Sequence, residues 1–268
     1  MVMVDDVSVR PAPGFLFVHG GWQDSWWWHP VAMDLAHLGY RSWTPDLPGC
    51  GPSDPHVAAV TVRMMADSVL AQIRATPQMR DLVLVVHSGG GPVGQLIAAA
   101  VPERITSLVF VDAWALIGTE CIADLLPPTL APIVDLARRG EPIPMDPAMW
   151  FAAFAQDATE ATRREGRARV AETRCPPDWV TAVSDWQPFW DLLDSGWFST
   201  YYLFLAEDRA APTELYRRMA DRLRPSAMAL VPGSHQGFHR YHREFVATLL
   251  ATVSAGNTDA WPLPASTS

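Results

Sequence analysis

Ser88, Asp208 and His235 lie far apart along the chain, but together they could move a proton and attack a carbonyl. A serine hydroxyl is a weak nucleophile until a base takes its proton, and an imidazole does this near neutral pH. The imidazole in turn needs a carboxylate to fix its tautomer and stabilise its charge. Ser88 follows the apolar run Leu82 to Val86 and His87, and it precedes Gly89-Gly-Gly-Pro92. That reads as a buried strand, a sharp turn and a helix start. A serine on such a turn is lifted clear of the sheet. The next residue, Gly89, offers a backbone N–H where developing negative charge is favoured. A Ser-Gly-Gly turn alone is common, so the assignment depends on what else the chain brings to the same edge.

The elements that must do this alternate. Phe15-Leu-Phe-Val18, Tyr40 to Thr44, Leu82 to Val86, Ser107 to Asp112, Thr200 to Ala206 and Ala227 to Val231 read as strands. One more edge strand is expected around Val7 to Arg10. Helices are expected from Asp24 or Ser25 to Leu38, after the Thr61 cap, after Pro92, over 213–223 and from Arg240 to Val253. Such alternation implies an α/β fold with a parallel sheet, and ligands bind at the carboxyl ends of its strands. His19-Gly-Gly-Trp22, Ser88-Gly89, Asp208 and His235 all fall just past a strand's carboxyl end.

Residues 115–198 break the alternation. They are rich in proline and hold Trp150, Trp179, Trp186, Trp190 and Trp197. The organisation expected is a core of 1–114 and 199–254, a helical lid of 115–198, and a disordered polar tail of 255–268. Trp150 and Trp186 from this segment, with Trp22 from the core, are the expected substrate contacts, lining an apolar pocket.

Composition narrows the classes. With 268 residues, 49% hydrophobic and 18% charged, the chain can bury a large core. No apolar run reaches the roughly 18–20 residues of a membrane span. A net charge of −9 argues against a nucleic-acid partner. Cys50, Cys121 and Cys175 are odd in number and widely spaced, so neither a disulfide framework nor a zinc pattern is expected. The start lacks the pattern of a secretory signal, so a cytoplasmic location is the expectation.

Several motifs together resemble the α/β-hydrolase fold enzymes, in the branch that includes plant methylesterases and hydroxynitrile lyases. Val18-His-Gly-Gly-Trp22 resembles the oxyanion loop, and Asp46-Leu-Pro-Gly-Cys-Gly-Pro-Ser-Asp54 the segment that follows the next strand. His87-Ser88-Gly-Gly90 resembles the nucleophile elbow. Ala206-Glu-Asp208-Arg-Ala-Ala-Pro212 and Gly233-Ser-His235 resemble the acid and base loops. The resemblance implies Ser88 as nucleophile, His235 as base, Asp208 as acid, and the N–H groups of Gly21 and Gly89 as oxyanion hole, with Trp22 the weaker candidate donor. Val86 departs from it, because the family usually has a small residue two before the serine. A branched side chain there is expected to crowd the elbow or the adjacent helix.

Alternatives stay open. Asp112 also ends a strand and is a rival for the acid, though the turn around Asp208 matches better. His87 and His19 read as structural, His19 holding the oxyanion loop. Asp46 and Asp54 read as turn caps, and Arg163, Arg164, Arg167, Arg217 and Arg218 as solvated. His235, His239 and His242 have a spacing that could hold metal, but no further ligand is evident nearby. The function these readings support is cleavage of an ester, lactone or thioester of a largely apolar small molecule through an acyl-enzyme. The rivals are a lyase or carbon–carbon bond hydrolase using the same groups as general base, and a small-molecule receptor on the same scaffold. No cofactor is called for and no membrane partner is expected; a homodimer is left open.

Overall fold

A computed structural model describes residues 12–50 and 56–256. Six strands form one parallel sheet. In chain order the first elements are β1 (Gly14–Val18), α1 (His29–His37), β2 (Arg41–Trp43), α2 (Val62–Ala75), β3 (Leu82–His87), α3 (Gly90–Ala100) and β4 (Ile105–Val111). Next come α4 (Ala131–Arg138), β5 (Ile143–Pro144), α5 (Pro147–Ala153), α6 (Glu160–Glu172), β6 (Arg174–Cys175), α7 (Pro177–Thr181) and α8 (Gln187–Asp194). The chain closes with β7 (Ser199–Leu205), α9 (Thr213–Leu223), β8 (Ala227–Val231), α10 (Gly237–Arg240) and α11 (His242–Gly256).

The sheet order is β2-β1-β3-β4-β7-β8. All its pairings are parallel, so every strand sends its carboxyl end to the same rim. β1 and β3 are buried throughout, which is why β3 reads as an unbroken apolar run rather than an alternation. β8 lies at the edge and alternates, exposing Met228 and Leu230. Everything from α4 to α8 is inserted between neighbouring strands β4 and β7, with only the two-stranded β5–β6 pair as sheet.

Local chemistry explains the boundaries. Asp24 caps a single 3₁₀ turn by accepting the Trp26 N–H, and α1 starts only afterwards at His29 with Pro30 in its first turn. Thr61 caps α2 by accepting the Met64 N–H at 3.1 Å. The last helix comes as two pieces, α10 and α11, and it runs to Gly256 rather than stopping near Val253. The strand expected at Val7 to Arg10 and most of the expected tail lie outside the described residues.

Candidate active site

Three loops at the carboxyl rim converge on Ser88. The residue has φ 51°, a left-handed backbone that a side chain with Cβ adopts at a cost of about 1–3 kcal/mol. Its own backbone offsets that strain. Ser88 N–H donates to Val111 O at 3.2 Å, and Ser88 O accepts from Gly91 N–H at 3.1 Å and Trp114 N–H at 3.2 Å. The oxyanion loop can pass this close only because position 20 is glycine, since a Cβ there would stand 2.7 Å from Ser88 Cβ. The branched side chain of Val86 lies against the adjacent helix α3. A Cβ at position 94 would meet Val86 Cγ1 at 2.3 Å, so Gly94 on α3 takes up the branched side chain.

His235 is fully buried, and its Nδ1 lies 2.5 Å from Asp208 Oδ2. Asp208 Oδ1 accepts the Ala210 N–H at 2.6 Å. Burial pushes the Asp208 carboxyl up. The charge and hydrogen bond of His235, with hydrogen bonds from Asp112 and Ala210, outweigh this and hold it below the ordinary carboxylate range. Asp112, at the end of β4, therefore does not take the imidazole; its Oδ2 accepts the Leu205 N–H at 2.9 Å. Burial and then the neighbouring Asp208 push the Asp112 carboxyl well above its usual range. His235 Nε2 is buried and has no hydrogen-bond partner among the described residues, so the serine–imidazole bond is not closed here. The ring nonetheless stands 4.4 Å from that of His87, the residue before the serine, and 5.2 Å from Phe154.

The oxyanion loop is held from behind. Gln23 Oε1 accepts the Gly20 N–H at 3.0 Å and lies 3.1 Å from His87 Nδ1. His19 accepts the Leu47 N–H on Nε2 at 3.1 Å and contacts Gly20 O through Nδ1 at 3.0 Å. Burial, then the nearby His235, push His87 well below the usual imidazole range, so this ring stays neutral. Trp22 has φ 56°, and Cys175 Sγ packs against this turn, 3.6 Å from where a Cβ on Gly21 would stand. No backbone acceptor is found for the Gly21 or Gly89 N–H among the described residues, and both residues line the same cavity.

That cavity holds about 640 Å³ and is overwhelmingly apolar. Ser88, Gly21 and Gly89 form its floor, and Trp114, Ile133, Met149, Phe154, Trp179 and Tyr216 are among its walls. Of the tryptophans expected to line it, Trp22 does so. Trp150 and Trp186 do not. Both are fully buried one layer back, Trp150 packed on Trp27 and Phe154, and Trp186 donating to Glu120 O. Trp179 takes their place, its Nε1 donating to Gly89 O at 2.5 Å.

Other expectations resolve by contact. Asp46 accepts the Ser25 N–H at 2.7 Å, and Asp54 lies outside the described residues. Arg163 is half-buried and donates to the carbonyls of Ala155, Gln156 and Ala158. His239 and His242 do not join His235, since His239 contacts Trp27 O and His242 contacts Asp34. Asp112, Asp208 and His235 have the donor types of a metal centre, with ligand atoms within 4.8 Å of one another. Their closest pair, however, is already spent as a hydrogen bond. Sequence reasoning missed Gln23 and Asp157. Asp157, from the loop after α5, accepts the Ser234 N–H at 3.0 Å and the Ser234 hydroxyl at 2.5 Å, clamping the residue before the base. Neither carries a sequence signal, because each acts through a fold contact rather than a motif.

Comparisons with known proteins bear on the family and the fold. The family model described as "Alpha/beta hydrolase family" matches residues 15–249. A carbendazim hydrolyzing esterase from Nocardioides sp. (strain SG-4G) is 34% identical over 122 residues, 45% of this chain and 50% of that one. Methylesterase 18 of Arabidopsis thaliana is 31% identical over 103 residues, 37% of this chain and 38% of that one. The match thus spans half or less of these curated relatives' length. Among solved structures, an extracellular alpha/beta-hydrolase from a Paenibacillus species superposes with TM-score 0.78 at 24% identity, covering 90% of this chain and 99% of that one. A methylesterase from Arabidopsis superposes with TM-score 0.72 at 17% identity, covering 91% of this chain and 100% of that one. At such identities these structures speak for the fold alone.

Proposed function

The chain belongs to the alpha/beta hydrolase family, and we propose that it is a serine esterase for a largely apolar small molecule. One observation carries the reading. A buried imidazole, oriented by a carboxylate at 2.5 Å, packs on Phe154 and Tyr216 of an apolar chamber that a strained serine lines together with Gly21 and Gly89.

In this reading Ser88 Oγ attacks the ester carbonyl while His235 Nε2 takes its proton. The closure of that bond accompanies substrate binding, as such contacts often tighten only in the complex. Gly21 and Gly89 N–H groups hold the oxyanion, and Asp208 stabilises the imidazolium. His235 then gives its proton to the leaving alcohol. Water, activated by the same imidazole, cleaves the acyl-enzyme and releases the acid. The segment 115–198 acts as a lid that supplies the chamber's upper wall. The relatives named as esterases support this chemistry, and the apolar wall supports an apolar acyl or alcohol portion.

Ser88→Ala tests the reading. Turnover of p-nitrophenyl esters is expected to fall about a thousandfold or more. A fluorophosphonate probe should label the parent and not the variant, and retained turnover would end the proposal. A second reading has one observation in its favour, the unpartnered His235 Nε2, which could act as a general base without serine attack. Mass spectrometry under turnover separates the two, because only the first gives an acyl adduct on Ser88.

A further inference from the structure

The acid side of the site contains one carboxyl more than the proposed esterase mechanism uses. Asp112 is 1% exposed and sits at φ 35° on the turn after β4, beside the Ser88 elbow. Its Oδ2 takes the Leu205 N–H, but its Oδ1 is buried with no donor among the described residues. The Asp208 carboxyl lies against it. Both Asp208 oxygens already have donors, Ala210 N–H on one and His235 on the other. The other titratable groups facing Asp112 are His235, Tyr202 on β7 and Tyr216 on α9, and none of them is a fixed cation. Tyr202 spends its hydroxyl on Ala113 O.

Two bare carboxylates in contact in a buried site repel, and one must hold a proton. The partners decide which. Asp208 has an imidazole and a backbone N–H, so the negative charge is better placed there. A proton on Asp112 would satisfy its orphaned oxygen and supply Asp208 with another donor in one step. We propose that Asp112 is a neutral carboxylic acid that donates a hydrogen bond to Asp208 and serves as a positioning residue for the Asp208–His235 pair. The role rests on the esterase reading above; the protonation state does not. The donated bond fixes the Asp208 rotamer and keeps its charge available to the imidazolium. The Leu205 N–H, at the end of the neighbouring strand β7, anchors the other carboxyl oxygen.

The test compares the full-length parent with Asp112→Asn and Asp112→Ala. An asparagine can still accept the Leu205 N–H and donate to Asp208, whereas alanine does neither. An infrared difference spectrum, parent minus Asp112→Asn at neutral pH, should show the carbonyl stretch of a protonated carboxylic acid. With an ester substrate, Asp112→Asn should keep kcat within about threefold. Asp112→Ala should lose on the order of tenfold to a hundredfold in kcat with KM little changed. At alkaline pH the parent's kcat should fall while that of Asp112→Asn holds level. Absence of the infrared band, or an asparagine variant as impaired as the alanine one, overturns the proposal. If the alanine variant does not fold, the band and the asparagine pH profile still decide. If Ser88→Ala keeps full turnover, the esterase reading fails, but the infrared result on Asp112 stands by itself.

Discussion

The rim of the sheet and the inserted segment over it are built on opposite terms. At the rim the polar groups are buried and mutually committed: Asp208 to His235 and Ala210, Asp112 to Leu205, His19 to Leu47, Gln23 to Gly20. The inserted segment contributes mostly apolar surface to the chamber, from Ile133, Met149, Phe154 and Trp179. A preorganised polar rim acts on charge that develops in a reaction. An apolar wall acts through burial and shape, which bind a ground state and transition state nearly alike. The rim should therefore govern kcat and the insert KM. Asp157 is the exception, since it belongs to the insert but grips Ser234 beside the base.

Substitutions can break or sharpen that contrast. Ser88→Ala has the largest expected effect, the thousandfold loss described above. Asp208→Asn leaves His235 with the wrong tautomer partner, and kcat should drop by about 10²–10⁴ with KM nearly unchanged. An equal effect on KM would count against the division of roles. Asp157→Ala frees the Ser234 N–H and hydroxyl, and kcat is expected to fall about tenfold. Partial recovery in Asp157→Asn would show that the clamp, not local folding, sets the loss. Ile133→Ala removes wall and no chemistry; KM for an apolar ester should rise several-fold, of the order of 1–3 kcal/mol or less in binding, at constant kcat. A fall in kcat alone would place that side chain in the reacting geometry.

The smallest effect is on stability and depends on pH. A carboxyl that ionises near pH 4 when unfolded but is held protonated when folded loses its contribution as pH rises. Asp112 is pushed up in this way, by burial and by Asp208. Between the unfolded value and the folded one, the unfolded chain binds fewer protons, so stability falls with rising pH. Asp112→Asn cannot ionise, and its melting temperature relative to the parent should improve from pH 4 to pH 8. Asp208, held low, has the opposite sign: its contribution is present above the unfolded value and lost in acid. A pH-independent difference between Asp112→Asn and parent would remove the protonated carboxyl from the account.

The strands and the Ser88 elbow could be read directly from the chain because their signals are local. Five consecutive apolar residues specify a strand buried on both faces, and the Gly-Gly-Gly-Pro92 run specifies a close helix start. The chamber wall was less legible. Five tryptophans between 150 and 197 share one composition, yet Trp179 reaches the cavity while Trp150 and Trp186 pack behind it. Burial order within a helical insert depends on crossing geometry, which apolar content does not encode.

The chain alone determined a parallel α/β scaffold and the rim positions of Ser88, Asp208 and His235, since periodicity and turn residues act over a few neighbours. Only the folded molecule decided that Asp208 rather than Asp112 meets the imidazole, that Gly94 accommodates Val86, and that Trp179 donates to Gly89 O. Each of these joins atoms separated in sequence. Each also depends on desolvation and contact distance, quantities that exist only once the chain has closed around them.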